Sequence, residues 1–173
     1  MKTESTNEHN SSGSGVMSND LIKALIDNYR QNQMNAINEA MGIDDAHSIW
    51  FDLPKLKDFI SLIEQEARAV NPECTQEDLG IRFYYAAYPK IEDWEIMDSH
   101  PVPQEYSERH TLVLIPTMKR ENTEGESLHY DFNSLHNEGK SVALNARKST
   151  KPSNLGENSG TLIPPSPSIN ESY

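Results

Sequence analysis

A guanidinium and two phenols share one parity in the run Ile81 to Tyr88: Arg82, Tyr84 and Tyr88 all fall at even positions. Alternate residues of a strand share a face. The spacing therefore predicts one side carrying Arg82, Tyr84 and Tyr88, and a core side carrying Ile81, Phe83, Tyr85 and Ala87. Two phenols and a guanidinium can stack on, and hydrogen-bond to, a planar or anionic ligand. Tyr and Arg are equally the favoured anchors of protein interfaces, and Tyr suits an ordinary solvated sheet face. The residue types leave these uses open.

The second chemical cluster is His110, His129, Asp131 and His136. A metal site needs imidazoles and carboxylates converging with fixed geometry. His129 and Asp131 would share one strand face, but His110 would have to arrive from a neighbouring strand, and no His-x-x-x-His pair is present. These residues are read as surface or structural histidines, with no metal and no cofactor. There is no Gly-x-Ser-x-Gly elbow or Ser-x-x-Lys, and no glycine-rich phosphate loop. The one cysteine, Cys74, follows Asn71-Pro72-Glu73 in an acidic turn, which raises a thiol's pKa.

Composition narrows the partners. The 173 residues carry a formal net charge of -12, with a pI near 4.8. Nucleic-acid binding and docking on anionic lipid both lean on Lys and Arg, so neither is expected. A basic run, Lys140 to Lys151, lacks interleaved aromatics and reads as a solvated linker that folds back on the acidic body. One cysteine precludes a disulfide within the chain, and the first twenty residues contain no apolar run of the secretory kind. The expected location is cytoplasmic.

The elements that must position these side chains follow from periodicity. Residues 1–17 are polar and Ser/Gly-rich, and are expected to be a disordered leader, with Met17 as a possible true start. Leu21, Ile22, Leu25, Ile26 and Tyr29 form a helical stripe behind Ser18, continued by Met34, Ile37 and Met41 and stopped by Gly42. The polar stretch Arg30 to Gln33 allows one bent helix or two short ones. Ser48-Ile49-Trp50-Phe51 reads as a strand. Asp52 caps a helix with Pro54 in its first turn and an apolar stripe of Leu56, Phe59, Ile60, Ile63, Ala67 and Val70. Thr75 to Asp78 reads as a capped turn. Strands are expected over 81–88 and 110–117, with Pro116 at the end of the second. Leu128 to Phe132 is a candidate short strand, and Val142 to Leu144 a weak fragment. The intervening 90–109 loop is long enough to be either functional or packed down by Trp94.

The domain is thus expected over 18–147, with 148–173 an extended or disordered tail rich in Ser, Asn and Pro. The fold class is α+β: a small antiparallel or mixed sheet covered on one face by two helices.

Ile49-Trp50-Phe51 leading into a helix, Gly80-Ile81-Arg82-Phe83-Tyr84-Tyr85, Tyr88-Pro89 and Thr111 to Thr117 together resemble a group of small uncharacterised bacterial proteins. Gly160-Thr161-Leu162 with Pro164-Pro165 is similar to that group's C-terminal ending. Members often carry cysteines near it. None stands there in this chain, which argues against a metal or redox role for the ending. The resemblance implies a shared domain and brings no activity. It also raises a second expectation for the tail, that Gly160 to Pro165 docks on the sheet.

With no catalytic motif in view, the leading expectation is a non-enzymatic protein-interaction or regulatory domain, in one version immunity- or antitoxin-like, with another protein as partner. The alternative is a small-ligand binder or enzyme using Arg82, Tyr84, Tyr88, His110 and Trp94 around a pocket between the sheet and the 90–109 loop.

Overall fold

A computed structural model describes residues 15–132 and 155–166. The chain divides after Gly42 into two compact units, where the sequence reading draws one domain over 18–147. The first unit holds α1 (Asn19–Tyr29), a π-helical turn (Arg30–Met34) and α2 (Asn35–Met41). The Ser18 hydroxyl accepts from Leu21 N, and Gly42, at φ 68°, ends α2 in the left-handed region. The polar middle widens the helix rather than breaking it. Asn32 Nδ2 donates to the carbonyl of Asn28 at 2.8 Å, and Asn35 Nδ2 to that of Gln31 at 3.3 Å. Side-chain amides that compete for backbone carbonyls are a known cause of such a shift in the ladder. The stripe does not become a core: no residue of these segments is fully buried, and Leu21 and Leu25 are about half exposed.

The second unit carries β1 (Ser48–Trp50), α3 (Leu53–Val70), β2 (Leu79–Ala87), β3 (His110–Glu121), β4 (Ser127–Asp131) and β5 (Thr161–Ile163). Both sheets are antiparallel: β1 with β5, and β2-β3-β4 with β3 central. The mixed α+β class read from the sequence holds. The loop 90–109 is shorter than it looks, because 3-10 turns occupy Ile91–Ser99 and Gln104–Tyr106. Among the described residues no helix is long and apolar enough to cross a membrane.

The sequence dictates α3 most directly. Asp52 accepts from Lys55 N at 3.2 Å, Pro54 sits in the first turn, and Phe59, Ile63 and Ala67 recur every four residues on one buried stripe. Phe59 and Ile63 pack on Leu114, with Leu79, Ile81 and Leu112 around them. Ala67 packs with Cys74, Met118 and Phe132. Burying side chains of this size stabilises by roughly 1.5–3 kcal/mol each. Thr75 and Asp78 close a reciprocal capping box around the turn before β2.

Three expectations need correction. First, Phe83 and Tyr85 do not face a core. They share the α3 side of the sheet with Leu79 and Ile81, but α3 covers only those two; Phe83 is 53% exposed and Tyr85 92%. Second, Pro116 lies inside central β3, not at its end. It is tolerated because it sits at a seam. Leu114 exchanges both backbone bonds with Glu157, and β4 pairs from Thr117 onward. Phe132 N still donates to the Pro116 carbonyl at 2.7 Å, but proline has no N–H to return, and β4 stops there. Third, residues 155–166 are not a loose tail. β5 completes the smaller sheet, Leu162 is fully buried, and a Cβ on Gly160 would lie 2.5 Å from Ile49 Cγ2. Val142 to Leu144 and His136 lie outside the described residues.

Candidate functional site

The residues expected to form one site occupy three places. Arg82 and Tyr84 do share a face, and β4 brings Asp131 to it across β3. The Asp131 carboxylate takes an ion pair from Arg82 Nη1 through one oxygen and a short hydrogen bond from the Tyr84 hydroxyl through the other. Arg82 Nη2 donates to the His129 carbonyl at 3.0 Å, and Nη1 lies 3.4 Å from the Tyr84 hydroxyl. The hydrogen bond with Tyr84, then the Asp131 charge, raise the guanidinium's already high pKa. The pair is about two-fifths exposed, so water screens it and it contributes little to stability. Chemically it is a closed clasp. The cation and the carboxylate already satisfy one another, which leaves little of either for an anionic ligand.

Tyr88 leaves the Arg82 face and enters the core. It is 4% exposed and packs with Ala46, Tyr106 and Leu162, beside Ile49 and Trp94. Its ring centroid lies 6.2 Å from that of Trp94 and 5.8 Å from that of Tyr106, both tilted. Its hydroxyl donates to Asn158 Oδ1 at 3.0 Å, and Thr111 Oγ1 donates to the same oxygen at 2.8 Å. Burial pushes the Tyr88 phenol up; the Thr111 bond opposes this and Tyr106 adds to it. Trp94 is likewise a packing residue that holds the 90–109 segment down.

His110 opens β3, away from the clasp, and is tied to Asp45. Asp45 is 1% exposed. Its Oδ1 accepts from Ala46 N at 2.8 Å and from His110 N at 2.7 Å, and its Oδ2 makes a short contact with His110 Nδ1. A buried carboxylate orienting an imidazole resembles part of a general-base arrangement. Two of Asp45's bonds, however, go to backbone N–H groups. The pair anchors the 43–47 segment to the start of β3.

The space expected between the sheet and the 90–109 loop is filled by Trp94, Tyr106 and Leu162. Beyond it lies a cleft of about 290 Å³ between Met97–Val102 and Glu157–Ser159, which contains none of Arg82, Tyr84, Tyr88 or His110. Among the described residues, no three His, Cys, Asp or Glu side chains gather as a metal site would require. Burial, then Asp78, raises the Cys74 thiol.

What the structure does expose is the rim of β2. This strand is the sheet's edge, with no strand of the described residues beyond it. Tyr88 N donates to the Arg109 carbonyl, and the register pairs Ala87 with His110. Antiparallel ladders alternate, so the even residues of β2 bond to β3, while Ile81, Phe83, Tyr85 and Ala87 direct their N–H and C=O groups outward; the Leu79 N–H turns back to the Gln76 carbonyl, which leaves only its C=O. Alongside runs a groove of about 340 Å³ lined by Ile60, Ile63, Glu64, Gln76, Leu79 and Ile81. Ile60 is 44% exposed and Leu53 62%. The alternation read from the sequence located this strand, but not which half of it a single helix could cover. Asp45 carried no signal at all, because His110, the partner that marks it out, lies 65 residues away.

Comparison with protein-family models, curated proteins and solved structures finds no match to this chain.

Proposed function

We propose that this protein is an interaction domain that docks a polypeptide strand along the open edge of β2. The observation that carries this reading is the undefended character of that edge. Exposed edge strands are normally blunted by Lys, Pro, bulges, inward charges or shortness. β2 is nine residues long, and its sequence, LGIRFYYAA, contains no Lys, Pro, Asp or Glu. It presents the outward-facing peptide groups of Ile81, Phe83, Tyr85 and Ala87, three exposed aromatic rings and an adjacent apolar groove. Strand addition draws affinity from main-chain hydrogen bonds and specificity from pockets beside the edge, and β2 offers both. The ligand-binding alternative gains no comparable support, because its polar groups are either closed on one another or buried.

The test is affinity purification of the tagged full chain from its native host, at low and moderate salt, beside a Phe83→Lys variant. A stoichiometric partner that wild type retains and the variant loses is the expected result. A partner held equally by both would refute the edge as the docking element.

A further inference from the structure

We infer that the polypeptide added to β2 is the β2 strand of a second copy, paired antiparallel about a twofold axis at Phe83; this rests on the reading of β2 as a docking edge. The register follows from the strand itself. Phe83 is the midpoint of Leu79–Ala87 and one of the residues whose N–H and C=O face outward. An axis there sets Phe83 against Phe83 of the copy, Ile81 against Tyr85 and Leu79 against Ala87. These pairs exchange about eight hydrogen bonds in all, because the Leu79 N–H is already held by the Gln76 carbonyl. Shifting the axis to Tyr84 would set Tyr85 against Phe83 of the copy and Ala87 against Ile81, so that no ring meets the groove beside Ile81. Shifting it to Arg82 would set two guanidinium groups directly opposite, which is destabilising. Phe83 alone sets Tyr85 beside Ile81 with no like charges opposed.

Side chains fit the same register. Tyr85, almost fully exposed, would stand beside Ile81 of the other copy, on the sheet face where the groove of Ile60, Ile63, Leu79 and Ile81 opens. A single protomer thus carries both the protruding ring and the recess, as an isologous interface requires. On the opposite face the register sets Arg82 against Tyr84, with no like charges opposed. Charge supports the same surface. A chain of net charge -12 repels its own copy, yet β2 holds no carboxylate. The result is a continuous six-stranded sheet.

The test is sedimentation of the full chain across about 1–200 µM protomer, where self-association appears as a concentration-dependent mass, at low and at high salt. The expected result is a dimer that tightens as salt rises, because screening relieves the repulsion between acidic bodies. Phe83→Lys, at a half-exposed position that keeps the melting temperature, puts two ammonium groups on the axis. It is expected to weaken the dimer about tenfold or more. A Phe83→Cys variant in a Cys74→Ser background should oxidise to a covalent dimer, since a hydrogen-bonded cross-strand pair has Cα atoms about 5.5 Å apart. Tyr85→Cys should not, because the two Tyr85 positions are offset by about 13 Å along the strands. A monomer at every concentration overturns the inference, as does a dimer indifferent to Phe83→Lys. A dimer that loosens with salt also overturns it, pointing instead to the basic Lys140–Lys151 run meeting an acidic surface. If the chain is monomeric, a host partner lost with Phe83→Lys leaves the docking reading standing, and a partner retained removes it as well.

Discussion

Asp45→Ala tests how the body of the protein is tied together. The Asp45 carboxylate is almost wholly buried, and its Oδ1 accepts from both Ala46 N and His110 N. Removing it leaves two backbone donors facing a methyl group and strips the imidazole of His110 of its partner. A hydrogen bond to a charged group contributes about 1.5–3 kcal/mol, and breaking a buried polar pair by deleting one member costs about 3–5 kcal/mol. His110 is about one-third exposed, so water reaches part of the vacancy and the lower end applies. The expected loss is about 3–4 kcal/mol, a large share of the 5–15 kcal/mol typical of a domain. Asp45→Asn keeps an oxygen for the two N–H groups and should cost about 1–2 kcal/mol. His110→Ala keeps both backbone bonds and should cost a similar amount. Urea denaturation followed by tryptophan fluorescence gives all three values, since Trp94 sits in the neighbouring core. Asp45→Ala within about 1 kcal/mol of wild type would refute the anchoring role. His110→Ala costing as much as Asp45→Ala would do so too, because the carboxylate would then serve the ring and not the backbone.

Two further outcomes check the packing. Gly160→Ala places a Cβ 2.5 Å from Ile49 Cγ2 and 2.8 Å from Phe51 Cζ; it should destabilise by about 1–3 kcal/mol, and Ile49→Ala in the same chain should recover part of that loss, whereas strictly additive losses in the double variant would contradict the close approach. Tyr88→Phe probes burial through pH. Because the fold raises the Tyr88 pKa, its stabilising contribution is complete below the unfolded value near 10 and disappears as pH climbs through the folded value. The stability gap between wild type and Tyr88→Phe should therefore shrink as pH rises above about 10 in urea titrations, and a gap that widens would reverse the sign of the argument.

Much of the fold is legible wherever local rules agree. Helix α3 has its cap, its first-turn proline and an unbroken apolar stripe, so nothing tertiary needs to be known. The capping box at Thr75 and Asp78 and the alternation of β2 are equally local. What escaped was decided by partners distant in sequence. Pro116 looks like a strand terminator until Phe132 and Glu157 divide the far edge of β3 between them. The composition of residues 155–166 signals disorder. Yet Leu162, with only Thr161 and Ile163 as strand neighbours, is fully buried because β1 has no other partner among the described residues. Tyr88 and Arg82 share a parity but not an environment, since the 90–109 segment folds over one end of the strand and not the other. Phe83 and Tyr85 show the converse. An apolar residue at a core-facing position becomes surface when the covering helix serves only half of the strand.

These separations point to a common purpose for the polar groups first read as a site. The Arg82–Tyr84–Asp131 clasp ties the end of β4 across β3. Asp45 ties the 43–47 segment to the start of β3. Tyr88, Thr111 and Asn158 tie the 157–160 segment to the same end of the sheet. Each is a contact between segments far apart in sequence, made where a short strand or an isolated bridge supplies few ladder bonds of its own. All of them act at the ends of the sheet or on the side of β4 and Glu157. Along the opposite margin β2 is the longer edge strand, and alternate peptide groups face outward with no strand of the described residues beyond them. Such a strand in an isolated monomer is a template for indiscriminate pairing. A register that pairs all nine residues, with Tyr85 beside a groove on the second copy, would turn that liability into one defined contact.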